Sequence, residues 1–262
     1  MNVNLDGKNA LVCGSTQGIG KASAMELASL GANVTLIARN EEALKFTCAE
    51  LSNNGNQKHN FIVADFSNPD YLKVIINHHL ESNSPFHILV NNTGGPKGGE
   101  IINADTSEFI SAFSNHLICN HILVQALVEG MKSEKYGRII NIISTSVKLP
   151  LANLGVSNTI RGAVANWAKT LANELGKYNI TVNNVLPGAT ATGRLETIIK
   201  NKSNVSGKTV IEIEEEMKGE IPMRRFAKPE EIANAVAFLA SPAASYINGV
   251  NVPVDGGRTG NL

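Results

Sequence analysis

The chain is predicted to form one doubly wound α/β domain built on a parallel sheet, and three observations predict it. Short apolar runs alternate with amphipathic stretches of helical length along most of the sequence, and parallel neighbours need crossovers of that kind. A glycine-rich turn, Gly14-Ser15-Thr16-Gln17-Gly18-Ile19-Gly20, joins the first apolar run to the first amphipathic one. No compositional break divides the 262 residues, a length that one large domain accommodates.

Asn9 to Cys13 reads as a buried strand, and Lys21 to Leu30 as a helix with Ala24, Leu27 and Ala28 on its apolar side, stopped by Gly31. Asn33 to Ala38 is the second strand and Glu41 to Leu51 the second helix; a polar loop from Ser52 to Asn60 leads to a strand over Phe61 to Ala64. Then come a helix at Tyr71 to Leu80, a strand at His87 to Val90, one long helix from Ser107 to Met131 and a strand at Arg138 to Ile143. A helix over Asn158 to Leu175, a strand at Thr181 to Leu186, a helix at Glu230 to Ala240 and a strand at Val250 to Val254 complete the series. Strands this apolar call for helices on both faces of the sheet. The alternation lapses from Gly193 to Arg225, around the polar stretch Asn201 to Lys208 and the acidic Glu212, Glu214, Glu215 and Glu216. That segment reads as a lid over the pocket, with disorder as the alternative.

Charge is balanced, 23 basic against 23 acidic residues, which argues against a nucleic-acid or anionic-membrane partner. Cys13, Cys48 and Cys119 are scattered, without metal-ligand spacing, and their odd number cannot close a disulfide framework. A metal-free protein of the reducing cytoplasm is the expectation. The start, Met1 to Asp6, shows no signal segment, and no run approaches a membrane span in length.

Glycines between a strand and a helix permit positive φ and leave no Cβ in the way, so backbone N–H groups at the helix start can face an anion. Glycine at such a turn also serves purely steric ends. In doubly wound sheets ligands sit beyond the carboxyl ends of the strands, where strand order reverses, and the loop lies at that place.

Five further segments stand at strand ends: Ala64-Asp65-Phe66, Asn91-Asn92-Thr93-Gly94, Ile143-Ser144, Pro187-Gly188-Ala189-Thr190-Ala191-Thr192 and Val254-Asp255-Gly256-Gly257. Together with the glycine loop, in this order and spacing, they resemble the short-chain dehydrogenase/reductase superfamily over essentially the whole chain, most closely its NADP-linked 3-oxoacyl-(acyl-carrier-protein) reductase type. The resemblance implies a Rossmann fold and a cofactor lined by Gly14, Ser15, Thr16, Gln17, Gly18 and Ile19 at the pyrophosphate. It further implies Asp65 and Phe66 beside adenine, Asn91, Thr93 and Gly94 on the ribose and adenine side, and Pro187, Gly188, Thr190 and Thr192 at the nicotinamide carboxamide. Cys13 stands where the family has threonine and Thr93 where it has alanine. A homo-tetramer is also implied, with Ala163, Val164 and Trp167 packing against another subunit, unless they are buried in their own.

The end of the second strand, Leu36-Ile37-Ala38-Arg39-Asn40, bears on the choice of cofactor. An NAD enzyme needs a carboxylate there for the ribose hydroxyls, and Ala38 supplies none. Arg39 offers a planar fork of donors suited to a ribose phosphate, with Ser15 adding a hydroxyl; the other reading of Arg39 is a solvated surface cation. NADP(H) is the expected cofactor.

The resemblance breaks at the proton donor. Counting from Ser144, which matches the family's catalytic serine, the tyrosine and lysine positions hold Ser157 and Arg161. Four residues apart on a helix, the two share a face, so Arg161 can still reach ribose. A serine hydroxyl is a far weaker acid than a phenol, and arginine does not release its proton. The family's relay asparagine falls on His116, or on Asn115 if the register slips by one. His116 is either a structural residue or, with an ordinary pKa near 6.5, a general acid or relay. Lys148 and Arg194 are further cations that could face the pocket, and Tyr71, Tyr136, Tyr178 and Tyr246 fall away from it. The leading expectation is an NADP(H)-dependent oxidoreductase for a carbonyl or alcohol of a small or acyl-type substrate. The alternative is a nucleotide-binding protein of the same fold without redox chemistry.

Overall fold

A computed structural model describes residues 1–260. Its seven strands form one sheet in the order β3-β2-β1-β4-β5-β6-β7, all neighbours parallel. The strands are β1 (Asn9–Cys13), β2 (Asn33–Ala38), β3 (Asn60–Val63), β4 (Ile88–Asn91), β5 (Gly137–Ile142), β6 (Ile180–Pro187) and β7 (Asn251–Val254). The chain winds outward from β1 to β3, then crosses back to lay β4 on the other side of β1. The carboxyl ends of β1 and β4 therefore flank the reversal point where a ligand crevice opens.

Helices α1 (Gly18–Ser29), α2 (Glu41–Glu50), α3 (Pro69–Glu81), α4 (Thr106–Phe113), α5 (Cys119–Ser133) and α6 (Gly155–Leu175) are followed by α7 (Gly193–Ser206), α8 (Val210–Gly219) and α9 (Pro229–Ala240). Side chains alternate across the sheet. Val12, Leu36, Val90 and Ile140 point into one core with Ala24 and Leu27 of α1 and Val236 of α9. Leu11, Ile37, Leu89 and Ile139 point into a second with Ile76 of α3, Leu123 of α5 and Ala168 of α6. Two buried layers explain why the strands are mainly apolar.

Three departures from the sequence reading stand out. The long helix is interrupted: between α4 and α5 the backbone takes a π-helical turn over Ser114–Ile118, the kind of irregularity that recurs at functional sites. The segment 193–225 is neither irregular nor disordered in form, for it contains α7 and α8, which bury Leu195, Ile199, Ile213 and Met217 against each other beside Ala189 and Phe226. Caps hold both helices: Thr192 accepts from Leu195 N–H, and Thr209 with Glu212 forms a capping box. Helix α6 starts at Gly155, three residues earlier than the pattern predicts, so Ser157 and Arg161 both lie inside it.

Candidate active site

The glycine loop is shaped by contacts that exclude side chains. Gly14 and Gly18 have φ of 58° and 54°, in the left-handed region that costs other residues energy. A Cβ on Gly20 would come within 2.1 Å of the Gly14 carbonyl oxygen and 2.6 Å of Asn92 Nδ2. Asn92 Nδ2 donates to the carbonyls of Cys13 and Gly14 at 3.2 and 3.3 Å, tying the β4 end to the loop. Nothing in the motif singles out Asn92, yet its side chain braces the loop that has cysteine in place of a hydroxyl. The first turn of α1 contains no acidic residue, which leaves its N-terminus open to an anion.

Ser15 and Asn91, both assigned to cofactor contact, bury their side chains in the fold. Ser15 is fully buried, its hydroxyl 3.5 Å from the Ile37 carbonyl, so it supplies no hydroxyl for a ribose phosphate and only its backbone is free for that role. Asn91 is buried as well. Its Nδ2 donates to Asn141 Oδ1, Asn141 Nδ2 donates to Asn184 Oδ1, and Asn184 Nδ2 donates to Asn251 Oδ1, at 2.9, 2.9 and 2.8 Å. The four asparagines face one another in register across β4, β5, β6 and β7 and form a ladder of amides under the crevice.

The remaining residues lie at the carboxyl ends of the strands and at the starts of α1 and α7. Thr16, Gly18 and Ile19 are half-buried and Gln17 is exposed at the start of α1. Arg39 stands exposed just beyond β2. Asp65 is half-buried with Oδ1 accepting from Ser67 N–H, and Phe66 packs against the second core while its carbonyl accepts from Cys119 Sγ. Pro187 ends β6, and Gly188 leads on to Thr190, whose hydroxyl donates to the Gly188 carbonyl, and to Thr192, whose methyl would lie 3.2 Å from a Cβ on Gly18. The start of α7 thus faces the glycine loop across the crevice.

At the carboxyl end of β5, Ser144 Oγ accepts from Ser146 N–H at 3.1 Å. Arg161 reaches the same place from α6, where Nη1 donates to the Ile142 carbonyl at 2.9 Å. Only 8% of Arg161 is exposed. Burial, with the charge of Arg194 adding to it, pushes its pKa down to about 10, so it stays a cation at neutral pH. Ser157 is half-buried one turn before it on the same helix.

His116, not Asn115, is the residue of the π-turn that points inward: it is 2% exposed. Its Nδ1 is hydrogen-bonded to Thr93 Oγ1, and Gly94 lies beside it. Burial first, then the neighbouring Arg161 charge, drives its pKa down to about 2. The expectation of a group titrating near 6.5 is therefore corrected: the imidazole is neutral throughout the physiological range and can pass a proton only between neutral forms.

Lys148 is half-buried after β5, while Arg194 is exposed in the first turn of α7 and donates from Nη2 to the Pro96 carbonyl at 2.6 Å. Tyr136 is tied to the Ala240 carbonyl, Tyr178 and Tyr246 lie just before β6 and β7 at the opposite sheet end, and Tyr71 is exposed on α3. Among the described residues no cluster of His, Cys, Asp or Glu could hold a metal ion, the three cysteines are free, and no helix is long and apolar enough to cross a membrane.

A family model described as enoyl-(acyl carrier protein) reductase matches residues 14–259. The chain belongs to the short-chain dehydrogenase/reductase superfamily. It is 32% identical over 257 residues to a 3-oxoacyl-(acyl-carrier-protein) reductase from Vibrio cholerae, covering 97% of this chain and 98% of the relative. A chloroplastic tropinone reductase homolog from Arabidopsis thaliana is 34% identical over 260 residues, covering 98% of this chain and 77% of the relative. In the solved structures, L-sorbose reductase from Gluconobacter frateurii, complexed with NADPH and L-sorbose, superposes with a TM-score of 0.93 at 30% identity over the whole of both chains. Members of the superfamily similar to this chain are thus oxidoreductases, and NADPH is bound in a solved neighbour.

Proposed function

We propose that the protein is an NADP(H)-dependent oxidoreductase that interconverts a carbonyl and an alcohol, similar to 3-oxoacyl-(acyl-carrier-protein) reductases but with a rebuilt proton-donor site. The observation that carries the reading is the pairing of a side-chain-free phosphate cradle, Gly14 to Gly20 braced by Asn92, with a second strand that ends in Ala38 and Arg39 instead of a carboxylate. When bound, the dinucleotide supplies or accepts the hydride.

The chain's own residues do the rest. Backbone N–H groups of Ser15 to Ile19 meet the pyrophosphate, and Arg39 meets the ribose phosphate. Asp65 and Phe66 sit at adenine, Gly94 at ribose, and Pro187, Gly188, Thr190 and Thr192 at the carboxamide, through backbone groups wherever the side chain is already engaged. Ser144 orients the substrate oxygen, and Arg161 holds the nicotinamide ribose and places positive charge beside a developing alkoxide. Ser157, a water, or the Thr93–His116 pair relays the proton. A lost general acid costs typically about two to four orders of magnitude, so turnover slower than that of a tyrosine-bearing relative is expected. Helices α7 and α8 act as the lid, and a cytoplasmic homo-tetramer is the assembly; Val164, wholly buried in its own subunit, takes no part in it, which leaves Ala163 and Trp167.

Absence of the phenol supports a second reading, in which the nucleotide is bound and no hydride moves. One experiment separates the two. Purified protein is incubated with NADPH and a broad carbonyl panel: loss of nicotinamide absorbance supports the oxidoreductase, whereas thermal stabilisation by NADPH with constant absorbance supports the binding protein.

A further inference from the structure

We infer that the substrate taken by this site is an oxo acid, its carboxylate held by Arg194 and by the field of Arg161; the inference rests on the oxidoreductase reading and deepens it.

Two guanidinium groups approach the substrate side of the crevice from different elements. Arg161 comes from α6 and is anchored to the Ile142 carbonyl, two residues before Ser144. Arg194 comes from the first turn of α7 and lies along the loop after β4, with Nη2 on the Pro96 carbonyl and 3.6 Å from where a Cβ on Gly95 would be. Glycine at that position leaves the guanidinium face uncovered. Each arginine has one hydrogen bond, to a backbone carbonyl, and the remaining N–H donors of each are unused among the described residues.

Among the described residues, neither has a counter-ion. The ion pairs of the described residues engage other cations. The charge that acts on Arg161 is that of Arg194, and its effect is repulsive. His116, the other titratable group beside Arg161, is neutral and offsets nothing. A buried cation without a carboxylate is costly unless something that binds supplies the negative charge. The cofactor's phosphates belong at the glycine loop and at Arg39, on the β1 and β2 side. Arg161 lies instead against the Ile142 carbonyl, two residues before Ser144, and Arg194 lies on the loop after β4, close enough for its charge to act on Arg161. An anionic group carried by the substrate itself therefore completes the site, and arginine's planar fork suits a carboxylate.

The test is calorimetry on the NADP⁺-loaded protein with oxopentanoates bearing the ketone at carbon two, three or four, each compared with its methyl ester. At least one acid should bind about tenfold or more tightly than its ester, as expected for a charge-assisted contact. In Arg194→Ala that preference should fall to within about threefold, with NADPH affinity changed less than about twofold. The inference is overturned if no acid outbinds its ester. It is equally overturned if Arg194→Ala keeps the preference, or weakens NADPH instead, which would assign the side chain to the cofactor. A wild-type protein that gives no heat with NADPH removes the oxidoreductase reading and this inference with it, whereas normal NADPH binding with equal acid and ester removes this inference alone.

Discussion

The hydroxyl of Thr93 and Nδ1 of His116 are hydrogen-bonded partners, linking the end of β4 to the π-turn between α4 and α5. This contact fixes an imidazole that burial and Arg161 keep uncharged, with a pKa of about 2. In the unfolded chain the same group takes up a proton near pH 6.5. Between those values the unfolded state binds more protons than the folded one, so stability falls as pH drops below about 6.5.

The measurement is urea unfolding of wild type and His116→Gln at pH 7 and pH 5. The wild type should lose about 1–2 kcal/mol more than the variant between the two, from about 1.4 kcal/mol per pH unit for one group. Other buried histidines, such as His87, whose pKa burial also lowers, contribute to both proteins and cancel. Equal losses would show that His116 titrates normally in the fold.

Gly20 can be tested by a single methyl. Its absent Cβ would meet the Gly14 carbonyl oxygen at 2.1 Å and Asn92 Nδ2 at 2.6 Å, and neither atom belongs to a long flexible side chain that could swing away. Gly20→Ala should cost about 1–3 kcal/mol in chemical denaturation and weaken NADPH by at least about tenfold, because the phosphate loop must open to admit the methyl. Unaltered binding would mean that the loop does not hold the cofactor.

Much of this was readable beforehand because periodicity and glycine placement report on the backbone. All seven strands lie within a few residues of the apolar runs that predict them, and the loop before α1 was visible from Gly14, Gly18 and Gly20. What escaped depends on side-chain direction. Nothing local distinguishes Asn91, which turns into the sheet interior, from Asn92, which turns to the loop. The depressed pKa of His116 arises first from burial in the folded chain and then from the charge of Arg161, distant in sequence. The π-turn adds one residue to a helical turn without any glycine or proline to announce it. A polar stretch at Asn201 to Lys208 suggested irregular chain because helix α7 is exposed on all but Leu195, Ile199 and a few half-buried positions.

The asparagine ladder should be a stability element whose cost depends on where it is cut. Asn141→Leu leaves the Nδ2 of Asn91 and the Oδ1 of Asn184 without partners in the buried sheet, and an unsatisfied buried group costs about 1–3 kcal/mol. A loss of about 2 kcal/mol or more is expected in urea unfolding. Asn251→Ala, at the half-buried edge, strands only Asn184 Nδ2 and should cost about 1 kcal/mol. Equal costs would indicate that water already satisfies the inner amides.

On the proposed reading, Arg39 sets which nicotinamide nucleotide is preferred, and that role can be tested directly. It stands exposed beyond β2 without an ion-pair partner among the described residues, so its donors are available to a phosphate on the adenosine ribose. Ser15 is no rival for that phosphate, since its hydroxyl is buried against β2. Arg39→Ala should weaken NADPH about tenfold in calorimetry, the worth of one charged hydrogen bond. NADH has no phosphate at that position, so its affinity should move by less than about threefold. Arg39→Asp goes further: its carboxylate can accept from the ribose hydroxyls while repelling the phosphate, which should invert the preference toward NADH. If both nucleotides weaken in parallel in the alanine variant, the arginine supports the loop as a whole and does not read the phosphate.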